Sequence, residues 1–356
     1  MPQLSQAKLV TIPQCNVLGW ADLAADFPRP IGDAMVEFLP QSDQSVRLNT
    51  VCHAQFQGEL EGVSYRIRGS GPPLVLLPLF LSPSQWEPII ARLAERYCTI
   101  TLSGTALGAV AILESRGRSV GYRRMLQSLL DQTDLKSGES ILEVGCGTGV
   151  IDRWLAERTD RMNRIVGVDI NQYLLQEARR LARKEGLEGI IEFRDGDAQR
   201  LPVPDASFDL AISVTAIEEV NANQLLTEMA RVVKPGGRVA VISRSIDIPY
   251  VRNVKLPPEL KAKVDAPNGN VAPDGCADGS LYARMVQAGL TAIKKFPQLA
   301  SFDGQDTTVL QFMEDGFMPK LTPDEVKAWR AARAEAEAEG TFFMSWPHHC
   351  AVGTKP

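Results

Sequence analysis

Three glycines at alternate positions, Gly145, Gly147 and Gly149, follow an apolar segment of strand length and precede a segment of helix length. A strand, a glycine turn and a helix in this order present backbone N–H groups to a small ligand in α/β sheets. The glycines permit positive φ and remove each Cβ that would keep a ligand away from the backbone. Glu143 lies inside the same motif, where its carboxylate would repel a phosphate. These residues predict a ligand that carries an ammonium group.

Two other glycine-rich motifs do not fit this segment. A P-loop requires a Lys-Ser/Thr pair after its last glycine, whereas Val150 and Ile151 follow here. A dinucleotide fingerprint requires its third glycine three places after the second, and Val150 occupies that position. The pattern that remains is Glu-x-Gly-x-Gly-x-Gly.

Acidic residues follow the next two predicted strands, 164–168 and 190–194. Asp169 stands where a carboxylate can accept hydrogen bonds from both hydroxyls of a ribose, although an aspartate here can also cap the following helix. Asp197 stands where it can accept a hydrogen bond from an adenine amino group, although it can also be an acid of a surface loop.

Taken in order, these motifs resemble those of the class I S-adenosylmethionine-dependent methyltransferases that act on small molecules. Residues 204–213 match the family's fourth-strand motif and residues 234–238 its following turn, so the resemblance covers residues 120–245. It implies in-line transfer of a methyl group from the sulfonium of S-adenosyl-L-methionine, which leaves S-adenosyl-L-homocysteine. The cofactor-binding residues that it implies are Tyr122, Arg123, Glu143, Gly145, Cys146, Gly147, Gly149, Asp169, Ile170, Asp197, Ala198 and Ser213.

Two of these positions have a second interpretation. Tyr122 and Arg123 lie where the family closes over the methionine carboxylate, which suits the guanidinium fork, but Arg123 can equally be a solvated helix residue. Cys146 lies between glycines and is predicted to fill space rather than to act as a nucleophile.

The candidate catalytic residues are Glu218, Glu219 and His348. Many small-molecule members of the family have a Glu-His pair after the fourth strand, and Glu218-Glu219 occupies that place here. One of the two glutamates is predicted to face the sulfonium or the acceptor, the alternative being a solvated helix start. His348 or His349, on an antiparallel last strand, is a more distant candidate base. A base is needed only if the acceptor is a hydroxyl or an acidic carbon.

The residues that would surround the methyl acceptor are predicted only from their positions in the chain. Tyr250 and Asp278, with Asp247, belong to an irregular segment expected to cover the acceptor, and Phe343 and Trp346 to the start of the last strand. Aromatic and apolar lining predicts a small hydrophobic acceptor. The missing histidine leaves open an alternative function, a non-methylating S-adenosylmethionine-binding protein that regulates or supports a rearrangement.

The order of elements predicts the fold. Strands at 141–144, 164–168, 190–194, 210–214 and 237–243 alternate with helices at 151–159, 171–185 and 223–233, which is typical of a parallel sheet covered on both faces. We predict an α/β, Rossmann-like seven-stranded sheet, mostly parallel with an antiparallel last strand (341–353), in a methyltransferase domain at 116–356. Residues 244–280 form its substrate-covering insertion.

Residues 1–115 are predicted to be an N-terminal accessory α/β domain. Its segment 63–102 resembles the start of an α/β-hydrolase. However, Pro78-Leu79-Phe80 stands in place of a His-Gly oxyanion loop, and no G-x-S-x-G elbow follows. Hydrolase activity is therefore not expected.

The composition of the chain argues against several classes of function. The chain has 356 residues, of which 44% are hydrophobic and 23% charged, with a net charge of −5 that argues against nucleic-acid binding. The longest apolar run, 74–81, is interrupted by Pro78 and is too short to span a membrane. Six dispersed cysteines indicate reduced thiols, and no metal site is predicted. We expect a cytoplasmic protein whose partner is a small-molecule acceptor, and a homodimer stays open.

Overall fold

The computed structural model describes Ala24 and residues 27–39, 56–60, 63–77, 83–104, 107–267 and 271–356. The chain divides into two compact units, Met1–Ala111 and Ile112–Pro356. No helix in these described ranges is both long and apolar enough to cross a lipid bilayer.

The described part of the N-terminal unit is a small mixed sheet with two helices. Its elements are α1 (Pro28–Phe38), β1 (Phe56–Leu60), β2 (Val63–Arg68), β3 (Pro73–Leu76), α2 (Glu87–Leu93) and β4 (Cys98–Ser103). The strand order is β1-β2-β4-β3, in which β3 and β4 are parallel and the other pairs antiparallel. Within the segment 63–102, a 3-10 turn, Pro83–Trp86, precedes α2. Residues 78–80, which stand in place of an oxyanion loop, lie outside the described residues.

The C-terminal unit begins within α3 (Gly108–Arg118) and alternates helices with strands. Its further helices are α4 (Val120–Thr133), α5 (Val150–Arg158), α6 (Gln172–Lys184), α7 (Ala222–Val232), α8 (Pro258–Asp265), α9 (Ser280–Gln287), α10 (Thr307–Asp315) and α11 (Pro323–Ala338). Its strands are β5 (Ile141–Val144), β6 (Ile165–Asp169), β7 (Ile191–Asp195), β8 (Phe208–Val214), β9 (Val233–Arg244), β10 (Val251–Arg252), β11 (Thr291–Lys295), β12 (Gln298–Phe302) and β13 (Met344–Thr354).

These strands form one twisted α/β sheet, as the sequence predicts. Five parallel strands run in the order β9-β8-β5-β6-β7, and β13 lies antiparallel beside β9. Since β13 runs in the opposite direction, its start lies at the edge where the parallel strands end, and His348 pairs with Arg244. The Rossmann-like fold class is confirmed. Within the described residues the sheet has nine strands rather than the predicted seven, because β10, β11 and β12 all pair with β13.

Buried apolar residues explain the two helical layers. The strand β5 is buried at every position, which is typical of a central parallel strand. One face packs against α4, α5 and α6, and the other against α7 and α9. Asn171 and Asn221 accept hydrogen bonds from backbone N–H groups at the starts of α6 and α7, so each helix begins at a side-chain cap.

Three details differ from the sequence-based prediction. The strand β9 begins at Val233 rather than at 237, and a bulge shifts its register, so that Phe208 pairs with Val233 but Leu210 with Arg238. Gly236, at φ +76°, permits this excursion. The strand β12 and the helix α10, which are short elements of five and nine residues, were not predicted.

The predicted covering segment, 244–280, contains β10 and α8 and is held against the sheet edge. The N–H of Ala272 donates to the carbonyl oxygen of Glu218 at 2.8 Å, and that of Ala222 donates to Asp274 at 3.0 Å. A Cβ on Gly275 would lie 2.3 Å from the carbonyl oxygen of Glu218. The segment therefore touches the turn that carries the two candidate glutamates.

Gly121 allows α4 to approach β12 at backbone distance. An added Cβ would lie 1.9 Å from the carbonyl oxygen of Ser301, a backbone atom that cannot rotate away. We expect Gly121→Ala to lower the free energy of unfolding by about 2 kcal/mol or more, as overpacking does in a rigid core. Urea denaturation measures this change. Gly189→Ala is the control, since its Cβ would meet nothing within 4 Å. Equal midpoints for the two variants would contradict the tight contact.

Candidate functional site

The glycine turn after β5 is held by the acid at the end of β6. Gly145, Gly147 and Gly149 have φ values of +79°, +54° and +67°, which favour glycine. The N–H of Gly147 donates to Oδ2 of Asp169 at 2.7 Å, and the N–H of Asn171 donates to Oδ1 at 2.8 Å. Each oxygen keeps a second lone pair, so Asp169 can position the turn and still accept hydrogen bonds from a ribose. Its ribose role stays a prediction.

A buried ionic network, which the sequence did not predict, fixes the same turn from the other side. Glu114 of α3 accepts hydrogen bonds from the Thr148 hydroxyl at 2.7 Å and from Nη2 of Arg153 at 2.6 Å. Nη1 of Arg153 donates to the Thr148 carbonyl at 2.7 Å. Glu114 and Arg153 are both buried, so this pair is rigid and little screened by solvent. We call these three residues the Glu114 network.

Glu143 of β5 and Asp152 of α5 form a buried pair of carboxyl groups. Both are 0% exposed, and apart from each other their four oxygens have no hydrogen-bond partner among the described residues. Burial, with the charge of Asp152, raises the pKa of Glu143 well above its usual range. Burial also raises the pKa of Asp152 to about 7. Unpaired acids at this depth are costly, which indicates a site for a cationic group.

Tyr122 of α4 is the common neighbour of several candidate residues. Its hydroxyl lies within electrostatic range of Glu143, Glu218 and Thr215, and burial raises the pKa of Tyr122. Its ring packs edge-on against His348, with ring centroids 6.3 Å apart. The structure therefore brings Tyr122, Glu143, Glu218 and His348 together at the carboxyl edge of the sheet.

Arg116, rather than Arg123, is the arginine at this edge. The Arg116 guanidinium lies 5.1 Å from the centroid of the Tyr122 ring, and its buried Nε has no acceptor among the described residues. Nε of Arg123 instead donates to the Gly117 carbonyl at 3.2 Å, which holds the junction of α3 and α4. The two arginines lie close in sequence, and only the turn between the helices determines which one faces the site.

The two adjacent glutamates both meet Arg244. The Arg244 N–H donates to Oε1 of Glu218, and its Nη2 donates to Glu219 at 2.7 Å. Glu218 is fully buried, its Oε2 has no hydrogen-bond partner among the described residues, and burial raises its pKa. The Arg244 guanidinium forms an ion pair with both acids, at 3.6 Å to Oε1 of Glu218 and 2.7 Å to Glu219, and Glu218 keeps Oε2 for a ligand.

The two histidines of β13 face opposite sides of the sheet. Nδ1–H of His348 donates to the Trp346 carbonyl at 3.0 Å, and burial lowers the pKa of His348 to about 3, so this imidazole stays neutral. His349 lies 2.7 Å from Asp247 through Nε2 and 3.0 Å from the Tyr282 hydroxyl through Nδ1. Both nitrogens of His349 are therefore engaged away from Tyr122.

Some of the remaining candidate cofactor-binding side chains are exposed, and others already form hydrogen bonds within the protein. Ile170 is 71% exposed directly after Asp169, which suits stacking against a flat base. Asp197 accepts hydrogen bonds from the N–H and Nε2 of Gln199, at 2.8 and 3.3 Å, beside the half-buried Ala198. The buried Ser213 hydroxyl donates to the Val144 carbonyl at 3.1 Å. Burial raises the pKa of the Cys146 thiol well above its usual range, which fits a space-filling role.

The candidate acceptor-binding residues differ in burial and in the contacts that they make. Tyr250 is buried, and Trp346 packs edge-on against Phe302, with ring centroids 5.3 Å apart. Phe343 is half-buried just before β13. Asp278 accepts a hydrogen bond from the N–H of Ser280, the first residue of α9, at 2.9 Å. That bond gives Asp278 a structural task, and its substrate role stays a prediction.

Comparisons with known proteins match part of the C-terminal unit to a known family. Residues 142–241 match the family model described as a methyltransferase domain. Methyltransferase GfsG of Streptomyces halstedii is 38% identical over 119 residues, which are 33% of this chain and 42% of that protein. Demethylmenaquinone methyltransferase of Lactobacillus johnsonii is 33% identical over 134 residues, 37% of this chain and 54% of that protein. The chain thus spans about half the length of these relatives.

Among solved structures, the [4+2]-cyclase SpnF superposes with a TM-score of 0.44 and 24% identity, over 67% of this chain and 84% of that chain. The family match confirms the resemblance to class I S-adenosylmethionine-dependent methyltransferases that the motifs predicted.

The buried carboxyl pair predicts how stability depends on pH. Because the folded pKa of Asp152 is raised from 3.8 to about 7, the ligand-free folded state binds more protons than the unfolded state between these pH values. Stability should therefore fall as pH rises through this window, by at most about 1.4 kcal/mol per pH unit for one proton. Thermal denaturation from pH 4 to 8 should show a flatter profile for Asp152→Asn.

Glu157→Gln, which alters an exposed acid on the same helix, should keep the wild-type pH profile. An Asp152→Asn profile as steep as that of the wild type would refute the assignment.

Proposed function

We propose that the chain is an S-adenosyl-L-methionine-dependent methyltransferase acting on a small hydrophobic molecule. The observation that carries the proposal is the Glu143 carboxyl, fully buried next to the glycine turn and paired only with another acid. A ligand with an ammonium and a sulfonium group supplies the positive charge that these acids lack.

The residues at this edge fit each part of that cofactor. Glu143 would hold the ammonium group, and the free Nε of Arg116 would donate to the methionine carboxylate. Asp169 would accept hydrogen bonds from the ribose hydroxyls. Ile170 and Asp197 would meet the adenine, one through its exposed apolar surface and one through its carboxylate. Glycines at the turn would let the backbone approach closely.

When bound, S-adenosyl-L-methionine supplies an activated methyl group for in-line transfer to a nucleophile. The chain contributes position and exclusion of water, because Tyr122 and the covering segment enclose the edge. Glu218 is the group best placed to take a proton from a hydroxyl or acidic carbon, since its Oε2 is open and its raised pKa makes it a stronger base. The neutral His348, with a pKa of about 3, would accept a hydrogen bond rather than a proton.

The acceptor class is inferred from the lining. Trp346, Phe302 and the buried Tyr250 lie at the start of β13 and in the covering segment, which suits an apolar body. The name of demethylmenaquinone methyltransferase, a relative over 37% of this chain, denotes a hydrophobic acceptor and supports the same class. Residues 1–115 would act as an accessory domain. A cytoplasmic location and a homodimer remain predictions.

Cofactor affinity tests the proposal directly. We expect Glu143→Gln to weaken binding of S-adenosyl-L-methionine at least tenfold in isothermal titration calorimetry, because the variant lacks the negative charge that faces the ammonium group. Glu157→Gln should bind as the wild type does, since Glu157 is exposed. Unchanged affinity in Glu143→Gln would remove the main support for the site.

Turnover separates a methyltransferase from a non-methylating binding protein. With labelled S-adenosyl-L-methionine and a panel of quinols, phenols and sterols, we expect S-adenosyl-L-homocysteine to form with at least one acceptor. Glu218→Gln should lower kcat by tenfold or more at unchanged cofactor affinity, while Glu219→Gln, whose charge Arg244 balances, should retain most of the rate. Cofactor binding without turnover on any acceptor would favour the binding protein.

A further inference from the structure

Arg252 of β10 is a buried cation whose ion pair with Asp265 is long, 3.9 Å between Nη1 and Oδ1. It is 0% exposed, and Nη1 donates to the Val264 carbonyl oxygen. Its Nε and Nη2 have no hydrogen-bond partner among the described residues. These two atoms form the side of the guanidinium that donates two parallel hydrogen bonds to one planar anion. Leaving such donors buried and unpaired is costly.

The two nearest acids are already paired with other cations. Asp265 lies 3.9 Å from Nη1 of Arg252, but it forms an ion pair with Lys261. Glu314 accepts hydrogen bonds from Nη1 of Arg333 at 2.7 Å and from the Trp329 indole at 2.8 Å. Neither acid reaches the open side of Arg252. Arg252 therefore pairs with this cluster only through Nη1, and its Nε and Nη2 are left for a group outside the cluster.

Aromatic rings flank the guanidinium. Its central carbon lies 4.5 Å from the centroid of the Phe317 ring and 5.2 Å from that of Tyr250. Rings on its faces confine hydrogen bonding to the guanidinium plane, and they offer apolar contact to the body of a ligand. The nearby carboxylates of Asp265 and Glu314 would repel a dianion, so a monoanion fits this field better.

Arg252 is continuous with the candidate site. It pairs with Met344 at the start of β13, the strand that carries Trp346 and His348. Tyr250 lies within electrostatic range of both Arg252 and Arg244, the arginine that binds the two candidate glutamates. The covering segment thus places a free guanidinium side at the acceptor end of the sheet edge.

We propose that Arg252 binds a carboxylate group of the methyl acceptor, so that the substrate class is a hydrophobic or aromatic carboxylic acid. The inference rests on the proposed function for the identity of the ligand as an acceptor. The Nε and Nη2 groups would each donate to one carboxylate oxygen, while Phe317 and Tyr250 contact the apolar body. Arg252 would then determine specificity without touching the cofactor.

Matched pairs of anion and amide test the proposal on the full chain. In the presence of S-adenosyl-L-homocysteine, we expect benzoate or octanoate to raise the melting temperature at millimolar concentration, and benzamide or octanamide to have little effect. Calorimetry should show that Arg252→Lys weakens carboxylate binding tenfold or more. Phenyl phosphate, a dianion, should bind more weakly than benzoate.

Controls separate this role from a structural one. Arg333→Lys alters another arginine of the same cluster and should leave carboxylate binding unchanged. All variants should bind S-adenosyl-L-homocysteine with the affinity of the wild type. A wild-type protein that does not bind S-adenosyl-L-homocysteine would count against the proposed function, not against the role of Arg252. Equal shifts for acids and amides, or wild-type benzoate affinity in Arg252→Lys, would overturn the proposal. In that case Arg252 would serve as a buried structural partner of Asp265.

Discussion

Glu143 places a carboxyl group inside the central strand layer, where neither oxygen has a hydrogen-bond donor among the described residues and the Arg153 charge compensates it only in part. Its neighbour, Asp152, carries the same charge, so the two acids repel each other when both are ionised. Such an arrangement is unfavourable in the empty protein and becomes favourable when a cation binds. The unfavourable electrostatics therefore belongs to the ligand-free state, and binding relieves it. This makes cofactor affinity and protein stability two consequences of one buried charge.

An acid held under this repulsion requires a rigid surrounding, or the turn would move to relieve it. The Glu114 network provides that rigidity, because Arg153 binds both the Glu114 carboxylate and the carbonyl of Thr148. Asp169 holds the turn from the opposite side through the N–H of Gly147. The turn is thus fixed at two consecutive residues by groups on three different elements. Its backbone is therefore ordered before a ligand arrives, which lowers the entropy cost of binding.

Local sequence motifs predicted most of the candidate residues at the proposed cofactor end of the sheet edge and few at the proposed acceptor end. Continuous apolar runs and helical periods predicted β5 to β9 and α5 to α7, because burial on both faces leaves a clear signal in each segment. Glu143 was predicted from its place in the glycine motif, and Asp169 and Asp197 from the ends of the next two strands, whereas Asp152 was not predicted. Arg116 was missed in favour of Arg123, because the N-cap of α4 at Ser119 sets which arginine faces inward. Arg252 and Arg153 were missed because their roles depend on long-range contacts that no short pattern encodes.

In the proposed binding mode, the two ends of the edge differ in their unpaired groups, and this difference would orient an acceptor. Glu143, Asp152 and Glu218 leave carboxyl oxygens without a hydrogen-bond partner at the cofactor end, while Arg252 leaves two guanidinium nitrogens without one in the covering segment, all among the described residues. A carboxylate would be repelled from the first end and attracted to the second, so its neutral, reactive end would point toward the sulfonium. Aromatic side chains between the ends, Tyr250 and Trp346, fit an apolar body in that direction. The same polarity would disfavour a cationic acceptor, because its charge would meet Arg252 at one end and compete with the cofactor for the acids at the other.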